Sequence, residues 1–373
     1  MFEVSKFADS RDISSNREHE ALTRAGEFLG AASRQVGLLA RLVPVNARQE
    51  RERVAAAWAA STRAMPHFSY AAADLDAMRG DLARFADHAA LGDFPLGDAL
   101  RERAWEIALE ADMIAFRGTR SFGTYAARRF SAFSPELRTR AAALAETWLR
   151  APHEGPVSGV IATDDEAHAG SLVSRLRAEI ARASVPFSVV VTAGLSALAA
   201  TGHDTVFVAA GRSADRETIE RTVMHEVLGH VLPRVRAART RHPLFVVGSA
   251  RGTCDQEGYA LVLEERHGFL NVRRKRELAL RHVLAESMRA GADFADAVEL
   301  AIEQGETTDA ALRIAERAYR GGSGAGPGLG REIVYIASYL RVKDRCARDP
   351  SAERVLAAGQ VRCEWLDAAA PFV

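Results

Sequence analysis

The chain has 373 residues, of which 48% are hydrophobic and 26% are charged, as is typical of a globular protein with one or two domains. Lysine plus arginine and aspartate plus glutamate both number 49, so no basic excess indicates a partner such as nucleic acid or a membrane surface. No run of about 18 apolar residues occurs, so we expect no membrane span.

The cysteines and the N-terminus indicate a cytoplasmic protein. Three cysteines in a long chain do not define a disulfide framework, and a reducing compartment is the default expectation. The first 20 residues contain no apolar segment of the kind found in signal peptides.

Residues 1–150 are predicted to form a helical N-terminal region, because apolar residues recur there at helical spacing. Asn46 and Ser134 are expected helix N-caps. The segment 151–159 has two prolines and two glycines in nine residues, which predicts a boundary. Residues 151–373 would then form a catalytic region that packs with the first region into one compact unit.

The second region begins with a predicted helix near 164–183 and two β-like runs, 186–194 and 204–211. The second of these runs is a candidate edge strand for pairing with an extended peptide. From Ser213 onward the pattern is helical again. The predicted fold class is therefore α+β, mostly α-helical, with a small β-sheet beside the helix that carries the candidate chemistry.

That helix contains HEVLGH at 225–230, which places His225 and His230 five residues apart. In a regular α-helix this spacing turns the two side chains about 140° apart, too far for one ion. A π-bulge between them would restore about 40°, and such bulges are enriched at functional sites. We predict a metal clamp on a helix that starts at Ser213, ends at Pro233 and bulges near Gly229.

The alternative is that His225, Glu226 and His230 are unrelated polar residues on an apolar helix, which would bury them at a high cost.

A catalytic zinc usually has three protein ligands and a water molecule. On the downstream helix, 253–268, we select Glu257 as the third ligand. Glu264 lies about 10 Å further along and either orients a histidine or faces solvent. The predicted cofactor is one Zn²⁺ ion, with Glu226 as the general base.

HEVLGH is followed by QEGYA at 256–260, ERAYRGG at 316–322 and REIVYIASYL at 331–340. These motifs resemble those of the QEGLA-motif metallopeptidase family, which includes the microtubule-associated tyrosine carboxypeptidases. Weaker similarity in the N-terminal half includes MPHFSY and FRGT. The resemblance implies a gluzincin-type peptidase with ligands His225, His230 and Glu257 and with Glu226 as its catalytic glutamate.

Three further residues have expected roles at the substrate. Arg320 would bind a terminal carboxylate, and the Tyr335 hydroxyl would donate to the oxyanion. A buried structural arginine and a core tyrosine are the alternatives for these two. Tyr259, where the family motif has leucine, is a further candidate substrate-binding residue. The glycine-rich segment 321–330 lacks a phosphate-loop motif and is expected to be a flexible loop or lid.

The leading functional prediction is a zinc carboxypeptidase that removes a C-terminal residue, tyrosine or similar, from a protein or peptide. A zinc amidase or peptidase that matures a small peptide or natural product is the second hypothesis. An inactive peptide-binding protein is the third, although Glu226 has no obvious purpose other than chemistry. No nucleic-acid or membrane partner is expected.

Overall fold

The computed structural model describes residues 15–88, 91–92, 94–130, 133–152 and 159–373. Two of the sequence predictions concern residues outside these ranges. These are the absence of a signal peptide, for which residues 1–14 matter most, and the boundary segment, most of which is residues 153–158.

The N-terminal region is helical throughout its described elements. Ser134 caps its last helix by accepting a hydrogen bond from the Leu137 amide, whereas the Asn46 side chain instead bridges His67 and Ser69 in the following loop. The helices are α1 Ser15–Val36, α2 Leu38–Arg41, α3 Ala47–Ala59, α4 Asp76–Ala86, α5 Gly97–Ala115, α6 Phe122–Phe130 and α7 Pro135–Leu149.

Two small sheets follow, confirming the α+β, mostly helical fold class. The elements are β1 Ile161–Ala162, α8 Leu172–Arg182, β2 Ser188–Thr192, β3 Ala199–Thr201, β4 Thr205–Ala209 and β5 Ser213–Ala214. β1 pairs antiparallel with β5. The other three strands have the order β2-β4-β3, with β2 parallel and β3 antiparallel to β4.

The expectation that 204–211 is an edge strand was wrong, because β4 is the central strand of its sheet. Its apolar run packs Val206 and Val208 into a core shared with α8. Of the described strands in this sheet, β3 is the edge strand that lies beside α9.

The remaining chain is helical. It contains α9 Arg216–Glu226, a π-helical turn Val227–Val231, α10 Leu232–Ala237, α11 Leu244–Val247, α12 Gly252–Arg266, α13 Val272–Arg289, α14 Phe294–Glu303, α15 Thr308–Tyr319, α16 Val334–Arg348, α17 Ala352–Leu356 and α18 Leu366–Ala369. Short 3-10 turns at Arg331–Ile333, Cys363–Trp365 and Ala370–Phe372 complete it. Within the described ranges, no helix has both the length and the apolar composition needed to cross a membrane.

The largest hydrophobic core contains residues from both predicted regions. Leu29 and Leu100 from the N-terminal helices share it with Leu261 from α12 and Ile336 from α16. The helices that carry the candidate chemistry therefore share one core with the N-terminal helices, and α7 packs directly against α13 and α16.

The helix with the HExxxH motif has the predicted π-helical turn between its histidines, at Val227–Val231. Its two predicted ends were wrong. Asp215, rather than Ser213, is the N-cap and accepts from the Thr218 amide at 2.8 Å, because Ser213 pairs in β5. Pro233 does not end the helical path, because it lies in the first turn of α10, which continues directly from the π-helical turn.

Gly229 lets the π-helical turn approach α12. A Cβ atom at this position would lie 2.6 Å from the Cβ of Ala260, which is closer than two carbon atoms can pack. The small residues at 229 and 260 thus set the distance between the two helices that carry the predicted metal ligands.

The glycine-rich segment 321–330 is held by the N-terminal region, contrary to the expectation of a flexible lid. The Tyr70 hydroxyl accepts from the Gly321 amide at 2.9 Å and donates to the Gly322 carbonyl at 2.8 Å. A Cβ at Gly321 would lie 2.2 Å from the Phe122 ring, and one at Gly324 would lie 2.1 Å from the Pro66 carbonyl oxygen. Glycine is needed there for close packing.

Gly229→Ala should destabilise the protein by about 1–3 kcal/mol, because the added methyl group overlaps Ala260 and forces the two helices apart. The measurement is the free energy of unfolding from chemical denaturation. Gly80→Ala is the matched control, since Gly80 lies in α4 and its nearest neighbour is the flexible end of Arg84. The control should remain within about 1 kcal/mol of the wild type. Equal stability of the two variants would contradict the proposed close packing.

Candidate metal centre

His225, His230 and Glu257 form a compact cluster that could hold a metal ion. One ligand atom from each residue lies within 4.8 Å of the other two. The Nε2 atoms of His225 and His230 are 3.2 Å apart, and Glu257 Oε2 lies 3.5 Å and 3.8 Å from them, respectively. The three predicted ligands therefore converge.

The π-helical turn accounts for this convergence. His225 is in the last turn of α9, and His230 is inside the π-helical turn that follows. The wider turn absorbs the extra residue, so both imidazoles face α12, where Glu257 is located. The rings are 5.0 Å apart between centroids, at an angle of 65°.

Glu264 orients His225 from the side opposite the cluster. Its Oε1 atom is 2.7 Å from His225 Nδ1, which leaves Nε2 facing Glu257. Arg274 donates two hydrogen bonds to Glu264, at 2.9 Å and 3.0 Å. Burial raises the pKa of Glu264, but Arg274 and His225 outweigh it and lower the pKa to about 2. Of the two alternatives for Glu264, the structure therefore places it against a histidine.

The two histidines have different proton affinities. Burial lowers the pKa of His225, but the hydrogen bonds to Glu257 and Glu264 outweigh this effect and raise the pKa to about 10. Burial dominates at His230 and lowers its pKa. The carboxylates of Glu257 and Glu264 thus favour a positive charge at His225, and a cation bound in the cluster would serve the same purpose as a proton.

Glu257 is held by Arg331, whose Nη2 atom donates to Glu257 Oε1 at 2.6 Å. Burial acts to raise the pKa of Glu257, but the charges of Arg331 and His230 hold it well below its usual range. The second carboxylate oxygen of Glu257 remains directed at the histidines.

Glu226, the predicted general base, follows His225 directly and is only 6% exposed. Its Oε2 atom accepts a hydrogen bond of 2.7 Å from the Thr201 hydroxyl. Thr201 is the last residue of β3, the edge strand beside the HExxxH helix. The carboxylate is thus tied to a strand edge that could bind an extended peptide.

Arg331, which binds Glu257, also lies near Tyr335, and its charge acts on Arg320. The guanidinium carbon of Arg331 is 5.8 Å from the centre of the Tyr335 ring. Burial lowers the pKa of Arg320 to about 10, with Glu332 acting in the opposite direction and Arg317 and Arg331 reinforcing the effect. Among the described residues, the Arg320 guanidinium has no ion-pair partner, and its Nε atom is buried without a hydrogen bond.

The structure does not bring Tyr259 to the cluster, although its motif predicts a substrate contact. Tyr259 is buried in the main core, and its hydroxyl faces Glu353 at 3.5 Å. It lies two positions after Glu257 on the same helix, so it is turned about 200° away.

Four residues that contact this site are not predicted from the sequence. Arg331 begins the motif REIVYIASYL and Gln256 begins QEGYA, and the need for a partner that orients each ligand is the signal that points to both. Gln360 and Thr201 belong to segments with no motif, and only the fold brings them close. The Gln256 Oε1 atom is 3.2 Å from His230 Nδ1 and 2.7 Å from Gln360 Nε2.

The donor set fits zinc. Two imidazole nitrogens and one carboxylate oxygen are a common ligand set of catalytic zinc sites. Each ligand also has a partner that orients it, namely Glu264 for His225, Gln256 for His230 and Arg331 for Glu257. Such partners are typical of metal-binding histidines and carboxylates.

Comparison with known families agrees with this site. Residues 57–371 match the family described as microtubule-associated tyrosine carboxypeptidase, and the chain belongs to that family. The match covers the HExxxH helix, α12 and the glycine-rich segment. Comparison with curated proteins finds no match. Membership implies a peptidase of the carboxypeptidase type.

Glu264→Gln should weaken zinc binding by about 10- to 100-fold, because a neutral amide replaces the charge that orients His225 and pairs with Arg274. Competition with a chromogenic chelator measures the affinity. Glu265→Gln is the matched control on the same helix, since Glu265 binds Lys343 and Tyr339 away from the cluster. An equal loss in both variants would contradict the role of Glu264.

Proposed function

We propose that this protein is a zinc-dependent carboxypeptidase that removes a C-terminal residue, tyrosine or similar, from a protein or peptide. The observation that carries the proposal is the convergence of His225, His230 and Glu257 within 4.8 Å of one another, directly beside Glu226. Family membership supports the carboxypeptidase reaction. The donor set supports zinc.

Glu226 is the general acid and base in this proposal. His225, His230 and Glu257 would hold a zinc ion, which would supply the Lewis acidity that makes water a good nucleophile near neutral pH. Glu226 takes the proton from the attacking water and later gives it to the leaving amine. The hydrogen bond from Thr201 to Oε2 holds the carboxylate in one orientation and leaves Oε1 for this proton transfer.

Arg320 is proposed to bind the terminal carboxylate of the substrate. In the part of the chain that the structure describes, Arg320 is a partly buried cation without an ion-pair partner, and its Nε atom is buried without a hydrogen bond. A desolvated unpaired charge is costly, and a carboxylate in bidentate contact would offset that cost. The Tyr335 hydroxyl is proposed as the donor to the oxyanion, since its ring lies beside Arg331.

The edge strand β3 supports an extended substrate. Among the described strands it pairs only with β4, so we propose that its other edge binds the main chain of a peptide. Thr201 at its end contacts the proposed base. A peptide aligned on β3 would therefore have its backbone next to Glu226.

Purified wild-type protein should contain close to one zinc ion per chain, and Glu226→Gln should retain it while losing at least about 100-fold in kcat. His230→Ala should lose the metal, because it removes one of three ligands. Elemental mass spectrometry measures the zinc, and release of free tyrosine from a peptide measures activity. Full activity in Glu226→Gln would refute the mechanism, and absence of zinc in the wild type would refute the cofactor.

Arg320→Gln should lower kcat/KM by about 10- to 100-fold on peptides with a free C-terminal carboxylate, because charged hydrogen bonds contribute about 1.5–3 kcal/mol. Peptides with a C-terminal amide should be poor substrates of both proteins. Arg150→Gln is the control, since the Arg150 side chain is 78% exposed. Equal cleavage of free and amidated peptides by the wild type would instead support an amidase or endopeptidase.

A further inference from the structure

We infer that Gln360 is a positioning residue of the metal centre, which acts through the Gln256 amide to set the nitrogen that His230 offers to a metal ion. The inference rests on the proposed zinc site but requires no knowledge of the substrate. It concerns a residue from the C-terminal segment, 130 positions after the histidine it affects.

The three side chains form a short hydrogen-bonded chain. Gln360 Nε2 donates to Gln256 Oε1 at 2.7 Å, and the same oxygen lies 3.2 Å from His230 Nδ1. Because an amide oxygen only accepts, His230 must carry its proton on Nδ1. The lone pair of His230 Nε2 then faces His225 and Glu257.

The orientation of the Gln256 amide leaves a buried N–H donor without a partner, and the hydrogen bond from Gln360 offsets this cost. Gln256 is 3% exposed, and its Nε2 atom has no hydrogen-bond partner among the described residues. A rotated amide would direct its N–H groups at Gln360 Nε2, donor against donor, and at His230 Nδ1. With the Gln360 amide oriented as it is here, its Nε2–H therefore stabilises the Gln256 orientation in which His230 can bind a metal.

The backbone around Gln360 is fixed against the start of α12. Its carbonyl accepts from the Ser249 amide at 2.9 Å, and the Ser249 hydroxyl accepts from the Arg362 amide at 2.8 Å. A Cβ at Gly252 would lie 1.9 Å from the Gln360 carbonyl oxygen, so the two segments touch through backbone atoms. Gln360 thus approaches Gln256 from a rigid position.

Gln360→Glu tests the inference, because it replaces the donor with an acceptor of the same shape. The Gln256 amide should rotate to donate to the new carboxylate and to His230 Nδ1, which moves the histidine proton to Nε2. We expect zinc affinity to fall by about 10- to 100-fold in chelator competition. In the full-length chain freed of metal, the ¹⁵N shifts of labelled histidine should report the exchange of tautomers at His230.

Gln35→Glu is the control, since it adds the same charge at an exposed glutamine of α1. Gln360→Met keeps the side-chain volume without a donor or acceptor, and it should lose less zinc affinity than Gln360→Glu. Its unfolding midpoint should match the wild type, and it serves as the folded variant if Gln360→Glu is unstable.

Wild-type zinc affinity and an unchanged His230 tautomer in Gln360→Glu would overturn the inference. A wild type without zinc but with the Nδ1–H tautomer would refute only the zinc proposal.

Discussion

The close contact between the π-helical turn and α12 is the constraint on which the rest of the site depends. Two candidate ligands lie on one side of this contact and the third lies on the other, so the separation of the helices sets the separation of the ligand atoms. Gly229 and Ala260 allow that separation because neither has a side chain that would hold the helices apart. On the other face of α12, Gly258 packs in the same way against the Ser338 carbonyl of α16.

Charge compensation is the second element of the site. Each candidate ligand contacts a further polar side chain on the side away from the cluster. Arg274 and Arg331 balance the negative charges of Glu264 and Glu257, respectively. An unpaired carboxylate at either glutamate would be costly in this environment, so the arginines stabilise both the fold and the ionised site. Arg320 is different, because its charge is not balanced by an ion pair within the described residues.

Much of the site could be predicted from the sequence because it depends on local geometry. The turn angle of a helix requires a bulge within HEVLGH, and the same geometry separates Glu257 from Glu264 by two turns. The structure shows why both glutamates matter, since they contact opposite nitrogens of the His225 ring. Glu257 and Glu264 are too far apart to bind one ion together, and the His225 imidazole lies between them.

Contacts between distant segments could not be predicted in this way. β3 was missed because its short alanine-rich sequence has little strand propensity, whereas the strongly apolar β4 is the buried central strand. The positions of Thr201, Arg331 and Gln360 depend on loops and on helix packing that no local pattern encodes. Tyr259 was misjudged for a simpler reason, because its proximity to Glu257 in sequence was given more weight than the direction of its side chain.

The attachment of the glycine-rich segment has a consequence for how this chain can be divided. The amide of Gly321 is bound by Tyr70, and its carbonyl accepts from Gly118, so residues from MPHFSY and FRGT complete its hydrogen bonding. A fragment starting at residue 151 would lack these partners and the Phe122 ring, just next to Arg320. The N-terminal helices thus complete the hydrogen bonding and packing of the segment that follows Arg320, and residues 151–373 alone would lack these contacts.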